Sequence, residues 1–139
     1  MAYSSLDLVK IVTPDDTLYY FKSVLRQRFA LLETYFSTNP NGQEIILDLS
    51  TKGIRDLFVY CDHKISSTTI KDWINLLDVA DYLKLCPLLT SFLLKDAITN
   101  FYTFHRIVTR CDLLYYDPKI TTIQEALVEF KKLVAINRS

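Results

Sequence analysis

The N-terminal part of the chain carries short runs of branched apolar residues, separated by turn-forming residues. The run LDLVKIV (6–12) predicts a strand, because branched side chains favour the extended backbone. A turn, TPDDT (13–17), separates this run from LYYF (18–21), which predicts the second arm of a hairpin. Further along, apolar residues alternate in EIILDLS (44–50), which predicts a third strand.

The period of the apolar residues changes to three and four between the second and third predicted strands. Residues 21–36 have this spacing, which predicts one helix or two short helices. The segment STNPNGQ (37–43) is rich in turn-forming residues and predicts a loop. A second link, DHKISS (62–67), leaves room for a short strand at 64–65.

Helical spacing dominates the rest of the chain. It predicts helices over 51–61 and over 70–85, the second with Thr69 as its N-cap. A further helix is expected to begin at Pro87, where the missing N–H of proline costs nothing. Strands followed by helices indicate an α+β fold, in which a small sheet is covered by helices.

Two more helices are expected toward the C-terminus. Residues 101–111 have an amphipathic pattern, which YYDPK (115–119) interrupts. A capping box of Thr121 and Gln124 predicts the start of a helix over 121–136. These C-terminal helices are expected to pack either on the sheet-containing part or as a second unit.

Length and composition indicate a folded domain that needs no metal or disulfide. The chain has 139 residues, of which 50% are hydrophobic, and a chain of this size buries roughly two thirds of its unfolded surface. A formal net charge of zero and only two glycines argue against nucleic-acid binding and phosphate-cradling loops. Three widely spaced cysteines indicate reduced thiols in a cytoplasmic or nuclear protein. No apolar run reaches the ~20 residues needed to cross a bilayer, so no membrane partner is expected.

Chemically reactive side chains form no recognisable catalytic or metal-binding pattern. Cys61 and His63 are close in sequence, but structural zinc takes four ligands in paired clusters, which favours a core cysteine and a loop histidine. His105 is expected to be a partly solvated helix residue. Asp15 and Asp16 are expected to serve the backbone of a turn. We therefore expect no enzyme activity, no cofactor and no metal.

The aromatic content favours a protein-binding module. Nine tyrosines and eight phenylalanines exceed what a small core must hold. Tyrosine is enriched at protein interfaces because it combines a large apolar body with a polar tip. The alternative, that an individual aromatic side chain is simply half-buried, stays open for each of them.

Three segments resemble motifs of the BTB/POZ domain. FKSVLRQRFALLETYF (21–36) is similar to the family's F-x-A-H-K-x-V-L-A-A-x-S-x-Y-F segment, in register over its K-x-V-L part. IRDLFVYCDHKIS (54–66) and WINLLDVADYLKLCPLLTSFLLKDAI (73–98) are similar to two later motifs of the family. The positions that carry most of the resemblance are Leu76, Leu77, Ala80, Tyr82 and Leu83.

The resemblance implies a BTB/POZ-like α+β fold, with a small N-terminal sheet flanked by helical hairpins over 1–98. A helical extension over 99–139 is expected to follow, and ITNFYTFHRIVTRCDLLYYDP (98–118) resembles the start of the BACK region of kelch-type BTB proteins. Low glycine with abundant isoleucine, leucine, tyrosine and threonine is similar to BTB proteins of large DNA viruses.

BTB domains with such an extension are typically adaptors that dock cullin-3 within a ubiquitin ligase. For this chain the resemblance implies a non-catalytic adaptor that docks a cullin-3-type scaffold through the loop before the third strand and the helical hairpin beside it. The alternative is a structural or inhibitory binder of another protein. The residues expected near the partner are Phe36, Asn39, Asn41, Glu44, Tyr60, Asp62, His63 and Tyr82.

Within this set, Phe36 and Tyr60 are expected to be aromatic anchors and Asp62 a rim charge. The alternative for the two aromatic residues is a place in the core. The chain departs from the family in its loop STNPNGQE (37–44), which lacks the hydrophobic–x–glutamate motif of cullin-binding members.

The helix that family dimers swap is not expected ahead of the first strand. Its loss would remove apolar interface area worth on the order of 25 cal/mol per Å². We therefore expect a monomer or a dimer that does not swap this helix.

Overall fold

The structure is a computed structural model that describes residues 7–63, 69–110 and 119–138, with the side chains of 137 and 138 left out. The short strand expected at 64–65 and most of the break expected at 115–119 lie outside these ranges.

The strands of the described residues form one three-stranded mixed sheet, with the first strand in its centre. The predicted hairpin is confirmed, because the first two strands pair antiparallel, and the third runs parallel to the first. The third strand ends earlier than predicted, since the chain turns away to begin a helix at Thr51. The strands are β1 (Leu8–Val12), β2 (Thr17–Phe21) and β3 (Glu44–Ile46).

Helices make up most of the remaining described chain. They are α1 (Lys22–Arg28), α2 (Ala30–Thr38), α3 (Thr51–His63), α4 (Ile70–Leu83), α5 (Pro87–Thr109) and α6 (Ile123–Arg138). The spacing of residues 21–36 predicted either one helix or two short helices. The structure has two short helices there, α1 and α2. Between them Phe29 adopts an extended backbone with φ −127° and ψ 114° and forms a bridge with Leu85.

The separate helix expected over 101–111 is instead the second half of α5. Neither glycine nor proline follows Pro87 before the helix ends at Thr109, so nothing in the backbone interrupts it. Arg110 then ends the helix in the left-handed conformation with φ 55°. The boundary placed between residues 98 and 99 therefore falls inside a continuous helix.

The two predicted N-terminal caps have different outcomes. In α4, Thr69 Oγ1 accepts a hydrogen bond from the Asp72 N–H at 3.0 Å, as predicted. In α6 the capping residues lie one position later than predicted, because the helix begins at Ile123. Thr122 Oγ1 accepts the N–H of Glu125 at 3.1 Å, and the Glu125 carboxylate in turn accepts the N–H of Thr121 at 3.3 Å.

Within the described ranges, one hydrophobic core joins the sheet to the six helices. Helix α4 runs through it, and the leucines of 74–85 point inward as their spacing predicts. Against α4 lies α3, whose Gly53 permits a close approach, since a Cβ there would be 2.9 Å from Val79 Cγ2. On another side lies α6, where Phe130 stacks on Trp73 with ring centroids 5.9 Å apart. Residues of α6 therefore pack on the same core as the sheet-containing part.

Candidate protein-binding site

A surface groove with a cavity volume of about 780 Å³ lies between α2, β3 and the last turn of α4. Leu31 and Tyr35 come from α2, Ile46 from β3 and Tyr82 from α4. Ile46 is 76% exposed and Tyr82 is 52% exposed. The groove is thus an apolar surface that the fold leaves open to solvent.

Local structure explains why each wall faces the groove. In β3 side chains alternate, so buried Ile45 places Ile46 on the opposite face. In α4 the buried stripe includes Leu83, and Tyr82 lies next to that stripe on the exposed side. The hydroxyl of Tyr35 donates to the main-chain oxygen of Glu44 at 3.2 Å, which ties α2 to β3 across the groove.

Two predicted partner residues, Glu44 and Tyr82, line this groove. Asn39 and Asn41 are exposed in the loop that joins α2 to β3, the elements that form two of its walls. Asn39 Nδ2 donates to the Tyr35 main-chain oxygen at 3.0 Å, which also accepts the Asn39 main-chain N–H at the end of α2. The loop is therefore anchored beside the groove.

Phe36 and Tyr60 are fully buried, so neither can anchor a partner in this conformation, and the core alternative describes them both. The ring of Phe36 lies edge-on to Tyr35 and beneath the Lys22 ammonium, 5.2 Å from Nζ. Tyr60 donates its hydroxyl to Asp96 Oδ2 at 2.6 Å. Burial, followed by this hydrogen bond, raises the pKa of Tyr60 well above its ordinary value.

Asp62, expected to be a rim charge, forms a partly exposed ion pair with Arg28. Arg28 Nη2 lies 2.7 Å from Asp62 Oδ1, and the Tyr20 hydroxyl donates to Oδ2 at 2.8 Å. Burial works against ionisation of Asp62, but the hydrogen bonds from Tyr20 and Arg28 outweigh it and lower the pKa of Asp62. Burial and the bond to Asp62 raise the pKa of Tyr20 to about 12. His63 is exposed at the end of α3, and neither it nor Asp62 lines the groove.

Asp62→Asn is expected to lower the free energy of unfolding near pH 7 by about 1 kcal/mol, because the pair is partly solvated. The lowered pKa of Asp62 means that its carboxylate stabilises the fold above the ordinary carboxyl range. This contribution is lost as the pH falls through the pKa of the folded state. Urea unfolding near pH 7 and at about pH 3 should therefore show a smaller loss at the lower pH.

The matched control is Asp48→Asn, which removes an exposed carboxylate that forms no ion pair within the described residues. It should leave stability unchanged at both pH values. A loss from Asp62→Asn that is the same at both pH values would contradict the assigned role of the carboxylate.

Six groove residues were not among the predicted partner residues: Leu31, Thr34, Tyr35, Ile45, Ile46 and Leu47. A signal for Ile46 was present in the sequence, since the alternation in 44–50 turns it outward as an apolar residue. Leu31 and Tyr35 flank the buried stripe of α2, a position that helical spacing alone does not distinguish from ordinary half-buried surface.

The groove offers polar groups suited to recognition. Its lining includes one carboxylate, Glu44, together with the hydroxyls of Thr34, Tyr35 and Tyr82. Across the described ranges, no group of three histidine, cysteine or acidic side chains has the geometry to hold a metal ion. In the same ranges, no helix combines the length and hydrophobicity of a bilayer-crossing segment.

Comparisons with known proteins identify the fold. No family model matches the sequence, and neither does any curated protein. Among solved structures, the BTB domain of zebrafish PATZ1 matches with a TM-score of 0.54 and 18% identity, over 66% of this chain and 75% of that one. The BTB (Tramtrack and Bric a brac) domain of human gigaxonin matches with a TM-score of 0.52 and 20% identity, over 63% and 71%. This chain therefore has the α+β fold of a BTB domain, with its small three-stranded mixed sheet and surrounding helices.

Proposed function

We propose that this protein is a non-catalytic protein-interaction module that binds its partner at the groove between α2, β3 and α4. The observation that carries the proposal is the exposed apolar pair Ile46 and Tyr82 at a groove of a BTB fold. Contiguous apolar surface on a folded domain is typical of interaction sites. The polar groups around it resemble the rim of a recognition surface more than a catalytic constellation.

The partner that the resemblance favours is a cullin-3-type scaffold, which makes the protein an adaptor of a ubiquitin ligase in the cytoplasm or nucleus. The family's docking surface lies around the loop before the third strand. Here that loop is anchored by Asn39 and leads directly into Glu44. The kelch type, the BACK-like extension over 99–139, a viral source and a monomer or non-swapped dimer are part of the same proposal.

A second candidate is a structural or inhibitory binder of a protein other than a cullin. Three observations favour it: Phe36 and Tyr60 are buried, and Asp62 is held by Arg28. Fewer of the residues implied by the resemblance are thus free to meet a scaffold. An unbiased pull-down from lysate separates the two candidates by the identity of the captured protein.

Tyr82→Ala is expected to weaken binding to a cullin-3 N-terminal fragment at least about tenfold, or ~1.4 kcal/mol, because exposed tyrosines at a groove are frequent hot spots. Calorimetric titration of the full chain measures the affinity. The matched control is Tyr19→Ala, which removes a 63% exposed tyrosine from β2 and should leave the affinity unchanged.

Different results would exclude the cullin-3-type scaffold as the partner and the groove as the docking surface. No binding by the folded wild-type chain at tens of micromolar excludes direct cullin docking. Equal losses from Tyr82→Ala and Tyr19→Ala exclude the groove as the docking surface. The second candidate is supported if the cullin-3 fragment does not bind, while the unbiased pull-down captures another protein that the Tyr82→Ala variant does not capture.

A further inference from the structure

The outer edge of β3 faces the groove. On its inner side β3 pairs with β1, where Lys10 N–H donates to the Gln43 oxygen at 2.8 Å and Leu47 N–H donates to the Val12 oxygen at 2.9 Å. In a parallel ladder alternate residues direct both peptide groups to the same side. The N–H and C=O groups of Glu44 and Ile46 are therefore directed away from β1.

The position of Tyr35 agrees with this direction, since its hydroxyl reaches the Glu44 main-chain oxygen from the groove side. No hydrogen bond within the described ranges reaches the N–H or C=O of Ile46. These two groups lie on an edge strand beside an open apolar groove. Such an edge is a template for an additional strand.

The charges around the groove indicate the chemistry of its occupant. The Glu44 carboxylate is part of the lining, Asp48 follows β3 by two residues, and Asp78 precedes Tyr82 by one helical turn. All three acids are exposed and form no ion pair within the described part of the chain. Lys10 lies opposite Glu44 in the sheet register without pairing with it. An apolar groove with an acidic rim complements a segment that carries apolar and basic side chains.

We infer that the groove binds an extended segment of a partner protein as a fourth strand beside β3, and that this segment alternates apolar with basic residues. The inference rests on the proposed function and specifies how the partner is held. The main chain of the segment bonds to the N–H and C=O of Ile46, as in strand addition at other sheet edges. Its apolar side chains fill the space between Leu31 and Tyr82, and its basic side chains meet the acidic rim.

The test uses the full chain and a capped peptide of about seven residues in which valine alternates with lysine. Binding is followed by amide chemical shifts and by hydrogen exchange at the Ile46 amide. Binding should slow exchange at Ile46. The same peptide, N-methylated at the amides that would bond to the edge, should bind at least about tenfold more weakly, since it loses hydrogen bonds without changing side chains. A peptide with glutamate in place of lysine should also bind at least about tenfold more weakly.

Ile46→Pro removes the outward N–H and should weaken binding of the lysine–valine peptide about tenfold. Proline is accepted on an edge strand when its N–H points away from the sheet, so the variant is expected to fold. Ile46→Val keeps the N–H and a branched side chain and should bind as the wild type does. If Ile46→Pro does not fold, the N-methylated peptide tests the same hydrogen bonds on the unaltered chain.

Several results would overturn the inference. Equal affinity for the N-methylated peptide would mean that only side chains are recognised, and equal affinity for the glutamate peptide would remove the charge argument. Absence of binding at millimolar peptide would remove the site. Protection of the Ile46 amide in the free chain at all concentrations would mean that another part of this chain covers the edge. Protection that rises with concentration would mean that a second copy does.

Failure here is separable from failure of the proposed function. If the lysine–valine peptide binds and the cullin fragment does not, strand addition stands and the scaffold is excluded. If the cullin fragment binds Ile46→Pro and wild type equally while no peptide binds, the interaction module stands without strand addition.

Discussion

Phe130→Ala is expected to lower the free energy of unfolding by about 3–5 kcal/mol, in one transition that involves the whole described core. Phe130 is fully buried on α6. It stacks on Trp73 of α4 and meets the edge of Phe101 of α5, with ring centroids 5.8 Å apart. Removing the ring leaves a cavity among three helices that hold each other in place, so the loss exceeds that of the transferred atoms alone.

The measurement is urea unfolding followed by far-ultraviolet circular dichroism and by the fluorescence of Trp73, the single tryptophan. The two probes should give coincident midpoints, and both should move to lower urea. Val128→Ala is the control, because Val128 is on the same helix and 52% exposed, and it should cost about 0.5 kcal/mol or less. A separate early transition of α6, with the main midpoint unchanged, would instead make the C-terminal helix an independent unit.

The helices and the hairpin could be predicted because their signals are local. The buried leucines of α4 repeat at helical spacing and Thr69 supplies a cap, so neighbouring residues determine this helix. The hairpin likewise follows from a turn between two apolar runs. The gap between α1 and α2 has no such signal, because the apolar spacing continues through it.

That gap depends on contacts with a distant segment. Ala30 N–H donates to the Lys84 oxygen at 2.9 Å, and Cys86 N–H donates to the Arg28 oxygen at 2.8 Å. These bonds join the α1–α2 junction to the end of α4, and they fix Phe29 in its extended conformation. A reading of local periodicity contains no information about a partner more than fifty positions away, since only the tertiary fold brings the two together.

The candidate site was predicted only in part, because some of its residues are placed by contacts with distant segments. Glu44 and Tyr82 follow from positions in recognisable segments, and the structure places both at the groove. The place of Tyr60 depends on a hydrogen bond to Asp96, and that of Asp62 on an ion pair with Arg28. An aromatic or acidic residue has the same local signature in a core, in an ion pair within the chain and at an interface, so sequence spacing could not separate these roles.

Phe36→Ala is expected to lower the free energy of unfolding by about 3–5 kcal/mol, as for other buried phenylalanines. Phe36 was a candidate anchor for a partner, but its ring is fully buried and packs against Tyr35. The ammonium of Lys22 lies over the ring. A Cβ added at Gly42 would lie 3.9 Å from Cε1 of the same ring. The ring therefore lies inside the fold, beneath the groove wall and beside the following loop.

Phe36 and Tyr82 should consequently show opposite behaviour in paired measurements of unfolding and binding. Tyr82→Ala should cost about 0.5 kcal/mol or less in stability, because the side chain is exposed, while it weakens partner binding. Phe36→Leu, which keeps most of the buried volume, should lose about 1–2 kcal/mol of stability and retain its affinity once the fraction of folded protein is taken into account. The core assignment of Phe36 fails if Phe36→Ala unfolds at the wild-type urea midpoint yet loses the partner, because the ring would then have to leave the core in order to bind.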